Sequence, residues 1–353
     1  MPNPAASAPL SAPAPARHIL RLLVALLAVI VATVITWAAA RSYQRLLARD
    51  HLGVALGDQV NGFAEPLAVR HRLDLLHLRW YYDYSPRLDD APPGTHKVAM
   101  VRGGEQNRTL LSEITRQATR HPGHAWLIFN EPDLLEQDAV SDAFLAARGE
   151  DRFQHYARLV HAYATTITDA DPTAILVGPN LFNLNGQGMA WLTQLEASYR
   201  AEFAAPLPFT AIGLHLYAFD PTWQTLPQLN AAANQRFLEE ILAYARARQK
   251  PVWITELGVM WIYHDMTCTP PPAATPSQPT PLPSCRGDRP AWPEVTRHVT
   301  SLLTLARQSG VQRTFVFSSH PAPDPWAAVP NATYLLDAAH RPTPLGDAFL
   351  TLP

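Results

Sequence analysis

The sequence predicts an α/β fold, a (β/α)8 TIM barrel preceded by a single N-terminal transmembrane helix. Three observations carry this. Eight short apolar runs alternate with longer helix-spaced patterns between Leu52 and Ser318. Polar residues gather at the ends of these runs while their bodies stay apolar. No glycine-rich phosphate loop follows the first run, where Leu56-Gly57-Asp58-Gln59 stands, and this disfavours the alternative, an open doubly wound sheet.

Residues 1–16 are Pro, Ala and Ser without periodicity, a disordered tail. Segment 17–41 follows. Its stretch Leu22–Ala40 carries no charge and is long enough to span a bilayer as a helix. Arg17 and Arg21 precede it, and Arg41, Arg45 and Arg49 follow. Arginine count alone puts the C-terminal flank inside, whereas the two cysteines and the chemistry below put the globular part outside. Ala38-Ala39-Ala40 also offers a signal-peptidase site. The expectation is a membrane-anchored chain with an extracytoplasmic catalytic domain, secreted if the segment is cleaved.

Residues 42–353 form the expected barrel domain. Its strands are expected at Leu52–Leu56, Leu73–Arg79, Lys97–Val101, Ala125–Asn130, Ala174–Gly178, Phe209–Tyr217, Pro251–Glu256 and Arg313–Ser318. Helices are expected at Thr109–Arg120, Asp151–Asp169, Ala190–Arg200, Ala231–Gln249 and Pro293–Gln308. In the second of these, Phe153, Tyr156, Leu159, Val160, Tyr163 and Ile167 recur at helical spacing. No helix precedes the third strand, and Trp80–Gly94 reads as a structured loop.

The formal net charge of −2 gives no electrostatic footprint for nucleic acid. No obligatory protein partner and no cofactor is evident. His121/His124 and His71/His77 lack a second ligand pair, so no metal site is expected. No serine nucleophile elbow occurs.

The stretch Ala125-Trp126-Leu127-Ile128-Phe129-Asn130-Glu131-Pro132-Asp133 organises the rest. Five apolar residues read as a strand buried on both faces. Pro132 lacks an N–H and ends it. A carboxylate at the mouth of a buried strand is partly desolvated, so its pKa rises toward the range of a general acid. A second carboxylate, Glu256, ends the seventh strand on the opposing side of the barrel. Paired carboxylates across a cleft suit glycoside hydrolysis, one protonating the leaving oxygen and the other attacking the anomeric carbon. Asn130 is placed to hydrogen-bond a sugar hydroxyl. His215, Tyr217 or Arg79 is placed to orient the nucleophile. Asn180 ends the fifth strand. Trp80, Tyr82, Trp261 and Trp326 supply rings on which apolar sugar faces stack, as do their neighbours Tyr81, Tyr84, Trp223 and Tyr263. A carbohydrate is therefore the expected partner, besides the membrane. The alternative is a catalytically silent barrel that binds glycans at a membrane.

Phe129-Asn130-Glu131-Pro132-Asp133, Ile212-Gly213-Leu214-His215-Leu216-Tyr217 and Lys250-Pro251-Val252-Trp253-Ile254-Thr255-Glu256 resemble, in order and spacing, the clan A glycoside hydrolases. The likeness is to the glycosyl hydrolase catalytic core group that includes family 128 endo-β-1,3-glucanases, and it covers roughly residues 50–353. The resemblance implies a (β/α)8 barrel, retention of configuration, Glu131 as acid/base and Glu256 as nucleophile. The eighth strand departs from many clan members by ending in Ser318-Ser319-His320 rather than a tryptophan.

Cys268 and Cys285 bracket a proline-rich insert at 269–284. Such a segment is stiff and builds no core. A disulfide between them would close it into a loop and favour an oxidising compartment. Because it follows the seventh strand, the insert is expected to wall one end of the cleft.

Overall fold

A computed structural model of the chain describes residues 24–34, 36–37, 49–56, 65–102, 108–134, 142–182, 187–218, 231–260, 263–264, 267–269, 284–286, 289–321 and 333–352. The chain divides into two compact units, Met1–Ala48 and Arg49–Pro353. In the first, residues 24–34 and 36–37 are helical. Their large apolar side chains, from Val24 to Trp37, are exposed. Among the described residues no helix is long and apolar enough to cross a membrane. The rest of the 17–41 segment lies outside the described residues.

The second unit is a parallel barrel wrapped by helices. Strands and helices alternate as β1 (Leu52–Ala55), α1 (Pro66–Leu76), β2 (Trp80–Tyr82), β3 (His96–Lys97), β4 (Ala99–Val101), α2 (Arg108–Arg120), β5 (Ala125–Ile128), α3 (Asp142–Arg148), α4 (Arg152–Ala170) and β6 (Ile175–Leu181). They continue as α5 (Gly188–Phe203), β7 (Ala211–Ala218), α6 (Ala231–Arg246), β8 (Val252–Val259), four short strands β9 to β12 between Tyr263 and Pro290, α7 (Trp292–Gln308), β13 (Arg313–Phe317) and α8 (Pro344–Thr351). The sheet order is β3-β2-β1-β13-β8-β7-β6-β5-β4. Its two ends, β3 and β4, are one chain segment broken only at Val98. Its first half pairs with β2 and its second half with β5, so the sheet returns on itself as eight staves.

Two apolar layers follow from the pleat. Val54, Trp126, Ile128, Leu176 and Leu214 pack outward under the helices. Alternate residues, among them Ala55, Tyr82, Met100, Leu127, Val177, Trp253 and Phe315, form a separate inner cluster. Helix α4 shows how the sequence sets its own position. Asp151 caps it, accepting from the amides of Phe153 and Gln154 at 2.9 and 3.3 Å, a contribution of about 1 kcal/mol. Tyr156, Leu159, Val160, Tyr163 and Ile167 then bury the inner face, each apolar side chain contributing about 1.5–3 kcal/mol.

The second strand differs from the sequence expectation. Leu73–Leu76 close helix α1, and the strand is Trp80–Tyr82. Pro66 sits at the first helical position, Val69, Leu73 and Leu76 form the buried stripe, and His77 ends the helix with φ 52°. The leucine run therefore serves a helical face. The strands β6 and β8 also run further than expected, to Leu181 and Val259.

Candidate active site

Three strand ends build the site through local irregularities. After β5 the backbone turns through left-handed conformations at Phe129 (φ 68°) and Glu131 (φ 49°), unfavourable for residues with a Cβ and held only by their surroundings. Asn180, itself at φ 62°, supplies that hold. It is the extra residue in β6 where Pro179 pairs with Gly213 and Leu181 with Leu214. Its Nδ2 donates to the carbonyls of Ile128 and Phe129 at 3.1 and 3.0 Å. Its Oδ1 accepts from Thr255 Oγ1 at 2.9 Å, and its carbonyl accepts from Glu131 N at 3.0 Å. Gly213 lacks a Cβ because Asn180 Oδ1 occupies that space.

Strand β8 carries a similar irregularity. Leu214 pairs with Ile254 but His215 pairs with Glu256, and on the other side Thr314 pairs with Ile254 and Val316 with Leu257. The extra residue re-aims the side chains around Thr255 and Glu256. Glu256 thereby enters the barrel mouth, 4% exposed.

Donors converge on Glu256. Tyr82 and Tyr84 donate to its Oε1 at 3.0 and 2.7 Å, and Tyr217 donates to Oε2 at 2.6 Å. Tyr82 also reaches the carbonyl of Thr255 at 2.9 Å. Burial and the nearby carboxylate push all three phenols well above their ordinary pKa, so they stay protonated as donors. His215 Nδ1 lies 2.7 Å from Glu131 Oε1 and 3.4 Å from Glu256 Oε2. Burial lowers the imidazole's pKa, but the two carboxylates outweigh it and the net shift is upward. Burial pushes Glu131 up to about 7, against the opposing pull of its hydrogen bond to His215. Glu131 is thus tuned to hold a proton near neutrality and to give it up.

One ligand-type atom from each of Glu131, His215 and Glu256 lies within 4.8 Å of the others. That set could hold a metal ion, a grouping the sequence analysis did not foresee. An ion there would have to compete with the phenolic protons directed at Glu256. Asn130 is buried, and its Oδ1 has no hydrogen-bond partner among the described residues. It is a buried acceptor without a donor, next in the chain to Glu131.

The sequence-derived residues fall into three groups. Glu131, Glu256, His215, Tyr217 and Tyr82 come together, and Asn130 is buried next to Glu131 in the chain. Asn180 belongs to the site as a brace, its side chain spent on backbone and Thr255 rather than on the cleft. Arg79 and Trp80 lie elsewhere, at the start of β2. Arg79 Nε reaches Gly94 O at 3.4 Å. Trp80 donates to Asp50 at 3.1 Å, and the Arg313 guanidinium sits 3.4 Å from its ring centre. The misplaced second strand put them at the wrong end. Trp261 and Trp326 lie outside the described residues, as do Trp223 and the core of the insert, 270–283. The ladder at the insert's base sets Cys268 opposite Cys285, from strands β10 (Thr267–Thr269) and β11 (Ser284–Arg286). No disulfide is found among the described residues. Tyr84 joins the donors to Glu256, whereas the sequence marks it only as one more ring near the second strand. It lies two residues past the end of β2, in a bend where its own φ is 61°, so strand alternation alone does not place it beside Tyr82.

The family described as the glycosyl hydrolase catalytic core matches residues 70–349. No curated protein matches the chain. Among solved structures, a family 128 endo-β-1,3-glucanase from Amycolatopsis mediterranei, in complex with laminarihexaose, is 19% identical, with a TM-score of 0.53 over 86% of this chain and 100% of that one. A curdlan-specific exo-β-1,3-glucanase from Blastomyces gilchristii is 16% identical, with a TM-score of 0.52 over 86% and 98%. A family 10 endoxylanase from a sugarcane soil metagenome is 12% identical, with a TM-score of 0.54 over 88% and 99%. These likenesses are to the fold.

Proposed function

Because the chain belongs to the glycosyl hydrolase catalytic core family, we propose that it is a retaining glycosidase that cleaves a β-linked glucan through Glu131 and Glu256. The observation that carries this reading is the pair of buried carboxylates whose nearest oxygens lie within 4.8 Å. That spacing is nearer to the about 5–5.5 Å at which a nucleophile and an acid/base work than to the about 6.5–9.5 Å of an inverting pair, which supports the retaining reading. β-1,3-Glucan is the first substrate to test, since the Amycolatopsis and Blastomyces enzymes are β-1,3-glucanases.

In the first step a Glu256 oxygen attacks the anomeric carbon as the bond to the leaving oxygen breaks. Glu131 gives that oxygen its proton. In the second step Glu131, now a carboxylate, takes a proton from water. The water oxygen attacks the same carbon, the ester to Glu256 breaks, and the sugar leaves with its original configuration. Tyr82, Tyr84 and Tyr217 fix the plane of the Glu256 carboxylate. Asn130 Oδ1 accepts from a hydroxyl of the sugar in the site.

The apolar stretch Leu22–Ala40 tethers the catalytic unit to a membrane in this reading, with the unit outside the cytoplasm. The support is its uncharged length. A Cys268–Cys285 bond closes the insert, a reading supported by the ladder register.

The test is reducing-sugar release by the full chain on β-1,3-glucan, β-1,4-glucan, xylan, mannan and galactan, beside Glu131→Ala and Glu256→Ala. Release that vanishes in both variants is expected. Binding without release would favour the silent glycan receptor. Release that survives in both variants would overturn the assignment of the site.

A further inference from the structure

Lys97 lies on β3 with its side chain only 1% exposed. Its ammonium carries three donors, and each has an acceptor: Asp83 Oδ2 at 2.6 Å, Asp90 Oδ1 at 2.7 Å and Ser85 Oγ at 3.5 Å. All three acceptors belong to the segment between β2 and β3. Taking an ammonium out of water is costly, and a buried ion pair gains little over apolar groups of the same volume. The cluster is thus a weak source of stability. What it does is fix where this segment runs, because one point charge draws in three positions of the chain.

Two of the three acceptors flank Tyr84. Asp83 and Ser85 are also tied to each other, Ser85 Oγ donating to Asp83 Oδ1 at 2.8 Å. The Ser85 carbonyl accepts from Met100 N at 2.8 Å, which fastens the segment to β4. Between these anchored neighbours Tyr84 takes φ 61°, a left-handed conformation that a residue with a Cβ keeps only where its surroundings impose it. From that turn its hydroxyl donates to Glu256 Oε1 at 2.7 Å. The next stretch has its own hold: Gln117 Oε1, on α2, accepts from Leu88 N and Asp89 N at 2.8 and 3.2 Å. Loss of Lys97 would therefore release the turn at Tyr84 rather than the whole segment.

We propose that Lys97 is a positioning residue for the reaction: acting through Asp83 and Ser85, it holds Tyr84 in the turn that aims its hydroxyl at the Glu256 carboxylate. A carboxylate nucleophile works only when it is held near its attack geometry, and the Tyr84 hydroxyl is one of the groups that hold it. The effect on turnover rests on the glycosidase reading. The tie from Lys97 to the Tyr84–Glu256 contact does not, and it can be read without turnover.

The test uses Lys97→Met and Ser85→Ala in the full chain, each alone and combined with Tyr84→Phe. On β-1,3-glucan, Lys97→Met is expected to lower kcat about two- to tenfold with a smaller change in KM, since Tyr82 still donates to Oε1. In the Tyr84→Phe background the same substitution should cost nothing further, because the group it acts through is gone. Losses that multiply would place the action of Lys97 elsewhere and overturn the proposal. The second readout is NMR of the chain labelled with 13C at tyrosine Cζ, where the Tyr84 resonance is the one missing from Tyr84→Phe. Lys97→Met should move it toward the position of a phenol hydrogen-bonded to water, and an unmoved resonance overturns the proposal. Ser85→Ala removes one strut without leaving a buried charge unpaired, so it decides both readouts if Lys97→Met does not fold. If no glucan is cleaved, the hydrolase reading fails by itself, and the resonance alone decides the tie.

Discussion

His215 Nδ1 lies 2.7 Å from Glu131 Oε1, so the proton that Glu131 must hold sits beside an imidazole that also answers to Glu256. Burial raises Glu131 to about 7 all the same. In the proposed mechanism Glu131 is the acid of the first step and must be protonated in the free enzyme. kcat/KM should therefore fall tenfold per unit above pH ~7. A pH–rate profile checks this, and a flat profile from pH 6 to 9 would contradict it.

The same group sets a stability trend. Its folded-state value lies above the ordinary 4.5, so the native chain binds this proton more tightly than the unfolded chain. Its contribution is complete below the unfolded value and is lost as pH rises toward about 7. Glu131→Gln, which never charges, should gain in Tm on the parent between pH 5 and pH 8. Thermal scans at the two pH values read the difference.

The two carboxylates should separate by their chemistry. Glu256→Gln removes the proposed nucleophile and should leave almost no turnover on any substrate. Glu131→Gln should lose about 10²–10⁴-fold on glucan, yet keep much of its rate of glycosyl-enzyme formation on an aryl glycoside whose leaving group needs no proton. Burst kinetics on a nitrophenyl glycoside measure that step. Equal losses on both substrates would remove Glu131 from the acid role.

Each phenol on Glu256 has a distinct geometry. Among the described residues Tyr217→Phe removes the only phenol on Oε2, whereas Tyr82→Phe and Tyr84→Phe each leave a companion on Oε1. A hydrogen bond to a charged group contributes about 1.5–3 kcal/mol. Tyr217→Phe should accordingly lower kcat roughly ten- to a hundredfold, with smaller losses for the other two. Steady-state kinetics of the three variants test the order.

How much of this was legible in the sequence depends on which residues fixed each element. The apolar runs ending in Asn130-Glu131, His215-Leu216-Tyr217 and Glu256 gave the barrel and the two carboxylates, because buried strands read as apolar blocks. The second strand was lost because Leu73, Leu75, Leu76 and Leu78 also look like a buried strand, and Pro66 and the Val69 stripe were the signs against it. Arg79 and Trp80 moved with that error. The extra residues at Asn180 and near Thr255 leave no compositional trace, since register is a property of paired strands. Asn180 thus read as a ligand-facing amide when it is the brace under Glu131.

That brace can be broken from either partner. Asn180→Ala leaves the Ile128 and Phe129 carbonyls and the Thr255 hydroxyl without it, at about 1–3 kcal/mol for each buried group. Gly213→Ala forces a methyl into the space of Asn180 Oδ1, an overpacking cost of about 1–3 kcal/mol. Both should lower Tm and kcat together, and the double variant should cost less than the sum, since the two act on one contact. Thermal scans and kinetics on the three variants decide it.

Proton NMR of the first product released from a β-1,3-gluco-oligosaccharide by the full chain tests double displacement at Glu131 and Glu256 most directly. The geometry predicts that the β-anomer appears first and mutarotates to the α form. An α-anomer appearing first would mean single displacement, and the roles given to the two glutamates would be wrong.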